Sequence, residues 1–149
     1  MAVEIVRRNR GRNYPARRLK GAAVKILELV KQDHAELSVA LIGNAEMRKL
    51  NARYRRKNYP TDVLSFPAAR GTPDGVRLLG DVVISVDKAK EQARERGRSL
   101  DDEMTTLLIH GVLHLLGYDH ERSAKDARIM GRLEKKLFLV LCEKRILRV

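Results

Sequence analysis

Two hydrophobic spacings take turns along this chain. AVEIV (residues 2–6) and ELSVALIG (36–43) are short and rich in strand formers, so they predict the first two strands. Between them Leu19, Ala22, Ala23, Ile26, Leu27 and Val30 recur at helical spacing as far as about Lys31, with Pro15 suited to the helix start. Asn44 stands where it can cap a helix that carries Met47, Leu50 and Tyr54 on one face. That helix should stop before KNYP, because Pro60 disfavours helical geometry at Tyr59. VLSF, bounded by Pro67, predicts a third strand, RGTPDGV a turn or hairpin connection, and LLGDVVISV the best strand in the chain.

Three helices complete the pattern. Asp87 is placed to cap DKAKEQARERG, which Gly97 closes. Ser99 opens the cap signature SLDD ahead of EMTTLLIHGVLHLLG, a helix apolar enough to be buried, and Gly117 can end it in the left-handed conformation. Ser123 and Asp126 stand at cap spacing before Met130, Leu133, Leu137, Val140 and Leu141, which share one face. The order predicts an α+β (α/β-like) fold, with a small mixed, mostly parallel sheet of about four strands packed with about five helices. No repeat, low-complexity tract or linker interrupts it, and 149 residues suit one domain over residues 1–149.

Composition adds a partner class. Hydrophobic residues make up 44% and charged ones 34%, a globular balance, and the absence of Trp leaves a core of Leu, Val, Ile and Ala. Lys and Arg number 31 against 19 acids, a net charge of +12 that points to a polyanion, above all nucleic acid held through its phosphates. Tyr14, Tyr54 and Tyr59 are too few for an extended base-stacking platform. The single cysteine, Cys142, excludes an internal disulfide and reads as a small core residue, in keeping with a reducing cytosol. No apolar run reaches membrane-spanning length, and MAVEIVRRNRGRNYPARR lacks the features of a signal peptide, so a cytoplasmic location is expected.

The chemistry concentrates in HGVLHLLGYDH, residues 110–120, which holds three of the four histidines. His110 and His114, four apart on a helix, project from one face, and His120 follows Gly117, where the chain can turn back to them. Three imidazoles favour zinc or another borderline first-row metal and leave a position open for water, the mark of a catalytic site. His34, in the polar segment KQDHAEL, is expected at the surface. A closed, structural site would need a fourth protein ligand; Asp119 could be that ligand, or could accept an imidazole N–H. The spacing also matches HExxHxxGxxH of the metzincin proteases, but Gly111 stands where those enzymes place their general base. The motif therefore supports the metal geometry and undermines peptide hydrolysis.

HGVLHLLGYDH resembles HGxLHLxGYDH, the signature of the YbeY family of bacterial endoribonucleases, also called ribosomal RNA maturation factors. LNARYRRKNYPTDVLSFP resembles the family's second block, and LGDVVIS and DKAKEQARERGRS the segment between. The likeness runs from about Leu41 to His120, continues loosely through the Met130 helix, and is weakest in the N-terminal third. It implies a compact fold with a zincin-like metal site, one zinc-like ion on His110, His114 and His120, and cleavage of single-stranded RNA. It further implies roles in ribosomal RNA processing, including the small-subunit 3′ end, and in ribosome quality control. Single-stranded RNA, ribosomal RNA and the ribosome or small-subunit proteins are the implied partners; the oligomeric state is not fixed by the sequence, and a monomer is favoured.

An important arginine of the family falls on Arg55, next to Arg56, so that Arg55 and His114 become the catalytic candidates. In this reading the metal activates the nucleophile or holds the scissile phosphate, while Arg55 binds the phosphate and stabilises the transition state. Asp119, Asp62 and Asp81 lie in the family blocks, and none is singled out as general acid or base. Two other readings stay open: a ribosome-associated assembly factor with a structural metal, and a zinc peptide or amide hydrolase.

Overall fold

The computed structural model describes residues 3–68 and 77–146, the last three of these in backbone only. Strands β1 (Val3–Arg7), β2 (Glu36–Ile42), β3 (Val63–Pro67) and β4 (Leu78–Ser85) form one sheet in the order β1-β2-β4-β3. β1, β2 and β4 run parallel, and β3 lies antiparallel on the outer side of β4. Around the sheet stand α1 (Ala16–Leu29), α2 (Asn44–Arg55), α3 (Val86–Arg96), α4 (Leu100–Leu115) and α5 (Ala124–Ile146), with a 3-10 turn over Asn9–Asn13. This is the expected mixed, mostly parallel sheet with its helices, in the expected order. The expected turn RGTPDGV lies outside the described residues.

Alternation along the strands separates two apolar layers. Leu37, Val39 and Leu41 of β2, with Val82 and Ile84 of β4, pack with α1 and α4 through Leu19, Ile26, Met104, Leu108 and Val112. On the other side Ile42, Leu64 and Val83 meet Met47 of α2. The apolarity of α4 has a direct cause: it touches β3, β4, α1, α3 and α5, so it has little face left for water. Leu108, Ile109 and Leu113 are among the largest fully buried side chains, and burial of each contributes about 1.5–3 kcal/mol. Met130, Leu137 and Leu141 of α5 close the core from outside. No helix among the described residues is long and apolar enough to cross a membrane.

The helix starts show where local reading and packing diverge. Ser99 and Ser123 cap as expected, accepting the N–H of Asp102 at 3.1 Å and of Asp126 at 3.0 Å. Pro15 sits one position earlier than expected, at the cap itself. Gly43, not Asn44, occupies the cap of α2, and Asn44 is its first helical residue. For α3 the cap is Ser85, which accepts the N–H of Lys88 at 3.2 Å, because β4 runs straight into the helix. Asp87 instead reaches sideways, accepting Asn44 N–H at 2.9 Å and Arg10 Nε–H at 2.8 Å. Tyr14 is buried, its hydroxyl donating to Asp101 at 2.6 Å, whereas Tyr54 and Tyr59 are exposed.

Candidate metal centre

α4 delivers the first two histidines. Because His110 and His114 are one turn apart, both rings point from the end of this buried helix into the same cleft, and their Nε2 atoms lie 3.0 Å apart. The third arrives through the way α4 stops. Gly117 adopts φ +98°, Gly117 N–H donates to His114 O, and Tyr118 N–H donates to Leu113 O, both at 3.0 Å. This is the Schellman arrangement that reverses a chain at a helix end, and glycine adopts it without steric cost. Arg122 ties the returning loop by donating to Gly117 O at 2.8 Å, and Asp119 Oδ1 accepts the N–H of Glu121 at 2.8 Å. His120 is thereby brought within a ring-centroid distance of 5.2 Å of His110 and 5.5 Å of His114.

One nitrogen from each of His110, His114 and His120 lies within 4.8 Å of the others, so the trio could hold a metal ion. Nitrogens bound to one tetrahedral zinc at about 2.0–2.1 Å stand roughly 3.4 Å apart, a separation within the range that this cluster spans. The donor set also fits, since neutral imidazoles suit zinc and related first-row ions. Burial lowers the His114 pKa from its ordinary value, the neighbouring His110 and His120 act in the same sense, and Asp119 and Glu134 oppose them. His114 is thus biased towards the neutral form that a ligand needs. On the far side of the pair, His110 Nδ1 lies 2.9 Å from Glu134 Oε2 on α5.

The histidines line a cleft of about 550 Å³ together with Arg55, Thr61, Asp62, Ser65, Asp119 and Glu121. Arg55, the last residue of α2, is exposed, and its neighbour Arg56, in the left-handed conformation at φ 58°, closes the helix without lining the cleft. Asp62 is engaged locally, its Oδ1 accepting Val63 N–H at 2.8 Å, and Ser65 Oγ donates to Gly111 O at 2.8 Å. Asp81 is an exposed residue of β4 and is not part of the lining. His34 is fully exposed, and Cys142 is partly buried on α5. Sequence reasoning singled out none of Glu134, Thr61 and Ser65: each is an ordinary polar residue with no spacing relation to the histidines, although Thr61 and Ser65 lie in the second block.

The likeness to known proteins covers the same elements. The family model for Endoribonuclease YbeY matches residues 4–141. An Endoribonuclease YbeY of Persephonella marina is 48% identical over 121 residues, 80% of this chain and 79% of that protein. Its counterpart in Geobacter metallireducens is 40% identical over 144 residues, 95% of this chain and 96% of that protein. The solution structure of a Thermotoga maritima protein superimposes with a TM-score of 0.64 at 30% identity, covering 91% of this chain and 86% of that one. With the sheet, the helices up to most of α5 and the histidine cleft inside the matched span, the chain belongs to the YbeY endoribonuclease family.

Proposed function

We propose that this chain is a zinc-dependent endoribonuclease that cuts single-stranded RNA in ribosomal RNA processing, including maturation of the small-subunit 3′ end, and in ribosome quality control. The observation that carries the reading is the meeting of three imidazoles and the Arg55 guanidinium in one cleft of an endoribonuclease-family chain. His110, His114 and His120 would hold the ion, which when bound supplies Lewis acidity towards a phosphoryl oxygen and lowers the pKa of water. Arg55 offers a planar fork of donors from an exposed helix end, so it binds the phosphate and offsets charge that develops on it. His114, neutral and half-buried, keeps its ring fixed in the cleft wall. The excess of positive charge draws RNA in through its phosphates. In this reading residues 1–149 act as one domain, as a cytoplasmic monomer, on RNA presented by the ribosome or by small-subunit proteins.

The test joins metal content to cleavage. Wild type should carry about one zinc per chain and cut single-stranded ribosomal RNA. His114→Ala should lose the metal and the activity while still binding RNA. Arg55→Ala should keep fold and metal yet cut about 10²-fold more slowly or worse. Equal cutting by all three would overturn the proposal. Joint loss of folding and RNA binding in His114→Ala would instead favour an assembly factor with a structural metal.

A further inference from the structure

We propose that Glu134 is a positioning residue of the metal centre: its carboxylate accepts Nδ1–H of His110 and so commits Nε2 of that ring to the metal. The inference rests on the reading of His110, His114 and His120 as metal ligands. An ionised carboxylate can only accept hydrogen bonds, and Glu134 Oε2 lies 2.9 Å from His110 Nδ1. The proton of a neutral His110 therefore belongs on Nδ1, and the lone pair on Nε2, the atom that faces His114 Nε2 at 3.0 Å. Were the tautomer reversed, the nitrogen facing the cluster would carry a hydrogen and could not coordinate.

The carboxylate is aimed by the core. Glu134 stands on α5 between Met130 and Leu137, four residues before it and three after, and both are buried against the main apolar layer. Its side chain and that of His110 are 25% and 26% exposed, so the bond is partly shielded from water. The charged groups that share the flanking cavity behind Glu134 are Arg98, Asp102 and Lys135. Arg98 is engaged elsewhere, donating to Thr106 Oγ1 at 2.9 Å and lying over the Phe138 ring. His120 has no comparable orienting bond to its neighbouring acid, since Glu121 is 3.9 Å away. α5 thus acts on the site without entering the cleft, and Glu134 is absent from the cleft lining.

Loss of such an orienting carboxylate typically weakens metal binding 10- to 100-fold. The experiment titrates zinc into the metal-stripped full chain against a chelator of known affinity, for wild type, Glu134→Ala and Glu134→Gln. Ring-nitrogen NMR of His110 reports its tautomer, and thermal unfolding of the metal-free proteins reports the fold. Expected are one zinc per wild-type chain, affinity weakened 10- to 100-fold in Glu134→Ala, and a smaller loss in Glu134→Gln, whose amide oxygen still accepts. Wild-type His110 should carry its proton on Nδ1, a readout that holds even if Glu134→Ala fails to fold. Unchanged zinc affinity in a folded Glu134→Ala, or wild-type His110 protonated on Nε2, would overturn the assignment. A wild type that binds no zinc would instead sink the metal reading itself, which separates the two failures.

Discussion

Gly111 follows the first histidine, and the space around it explains its identity. A Cβ at this position would lie 2.6 Å from Val82 Cγ1 and 3.3 Å from Ser65 Oγ, so α4 presses its backbone against β4 here. The glutamate of a metzincin protease could not be accommodated: the position faces the sheet and not the cleft. Gly111→Ala tests the closeness of this contact. Overpacking costs about 1–3 kcal/mol, and the better helix preference of alanine returns about 1 kcal/mol. The expected outcome in urea unfolding is a net loss of up to about 2 kcal/mol, and a more stable variant would show that the contact yields freely. The sequence displayed the missing base; the reason for it is a contact between residues 29 positions apart in the chain.

Among the elements, the starts of α2 and α3 share one carboxylate. Asp87 joins them to the 3-10 turn through Asn44 N–H and Arg10. Burial pushes its pKa up, but the hydrogen bonds from Arg10 and Asn44 and the charges of Arg10 and Lys90 outweigh this and hold it below the usual 3.8. A carboxyl lowered in the folded state contributes stability above its unfolded value that is lost as pH falls through the folded one. Asp87→Asn should therefore cost about 1–2 kcal/mol at pH 7, with the gap to wild type closing below about pH 3.8. Urea unfolding at pH 7 and pH 3 checks it, and an equal gap at both would point to packing instead of charge.

β3 shows a second device of this kind. Ser85 N–H to Asp62 O and Ala68 N–H to Leu79 O place the even-numbered residues in the ladder, so Val63, Ser65 and Pro67 turn their backbone outwards. Asp62 takes up the Val63 N–H, and Pro67 has none, which blunts the edge of the sheet beside the cleft. Pro67 was readable as a strand boundary; the part played by Asp62 depends on a turn that only the folded backbone defines.

For the molecule as a whole, a charge of +12 makes the proposed RNA binding a matter of phosphates. Binding through phosphates releases counterions, and for single strands the log of affinity falls with the log of salt by about 0.7 per phosphate contacted. For four contacts, raising salt from about 50 to 200 mM should weaken binding of metal-stripped protein to a single-stranded RNA about 50-fold. Fluorescence anisotropy measures this directly, and an affinity indifferent to salt would count against phosphate-led recognition.

Strand and helix order, the capped and left-handed helix ends at Ser99, Gly97 and Gly117, and the sharing of one face by His110 and His114 were all legible in the sequence. They are consequences of local geometry: residue spacing, backbone freedom and side-chain capping act within a few positions. Tertiary structure alone decided that Glu134 comes from α5 to His110 and that Asp87 serves two helices instead of capping one, and it set Arg55, tied to the histidines until then only by the family resemblance, in their cleft. Those pairings join residues dozens of positions apart, and their distances are set by how the helices pack on the sheet, for which no local spacing is a proxy.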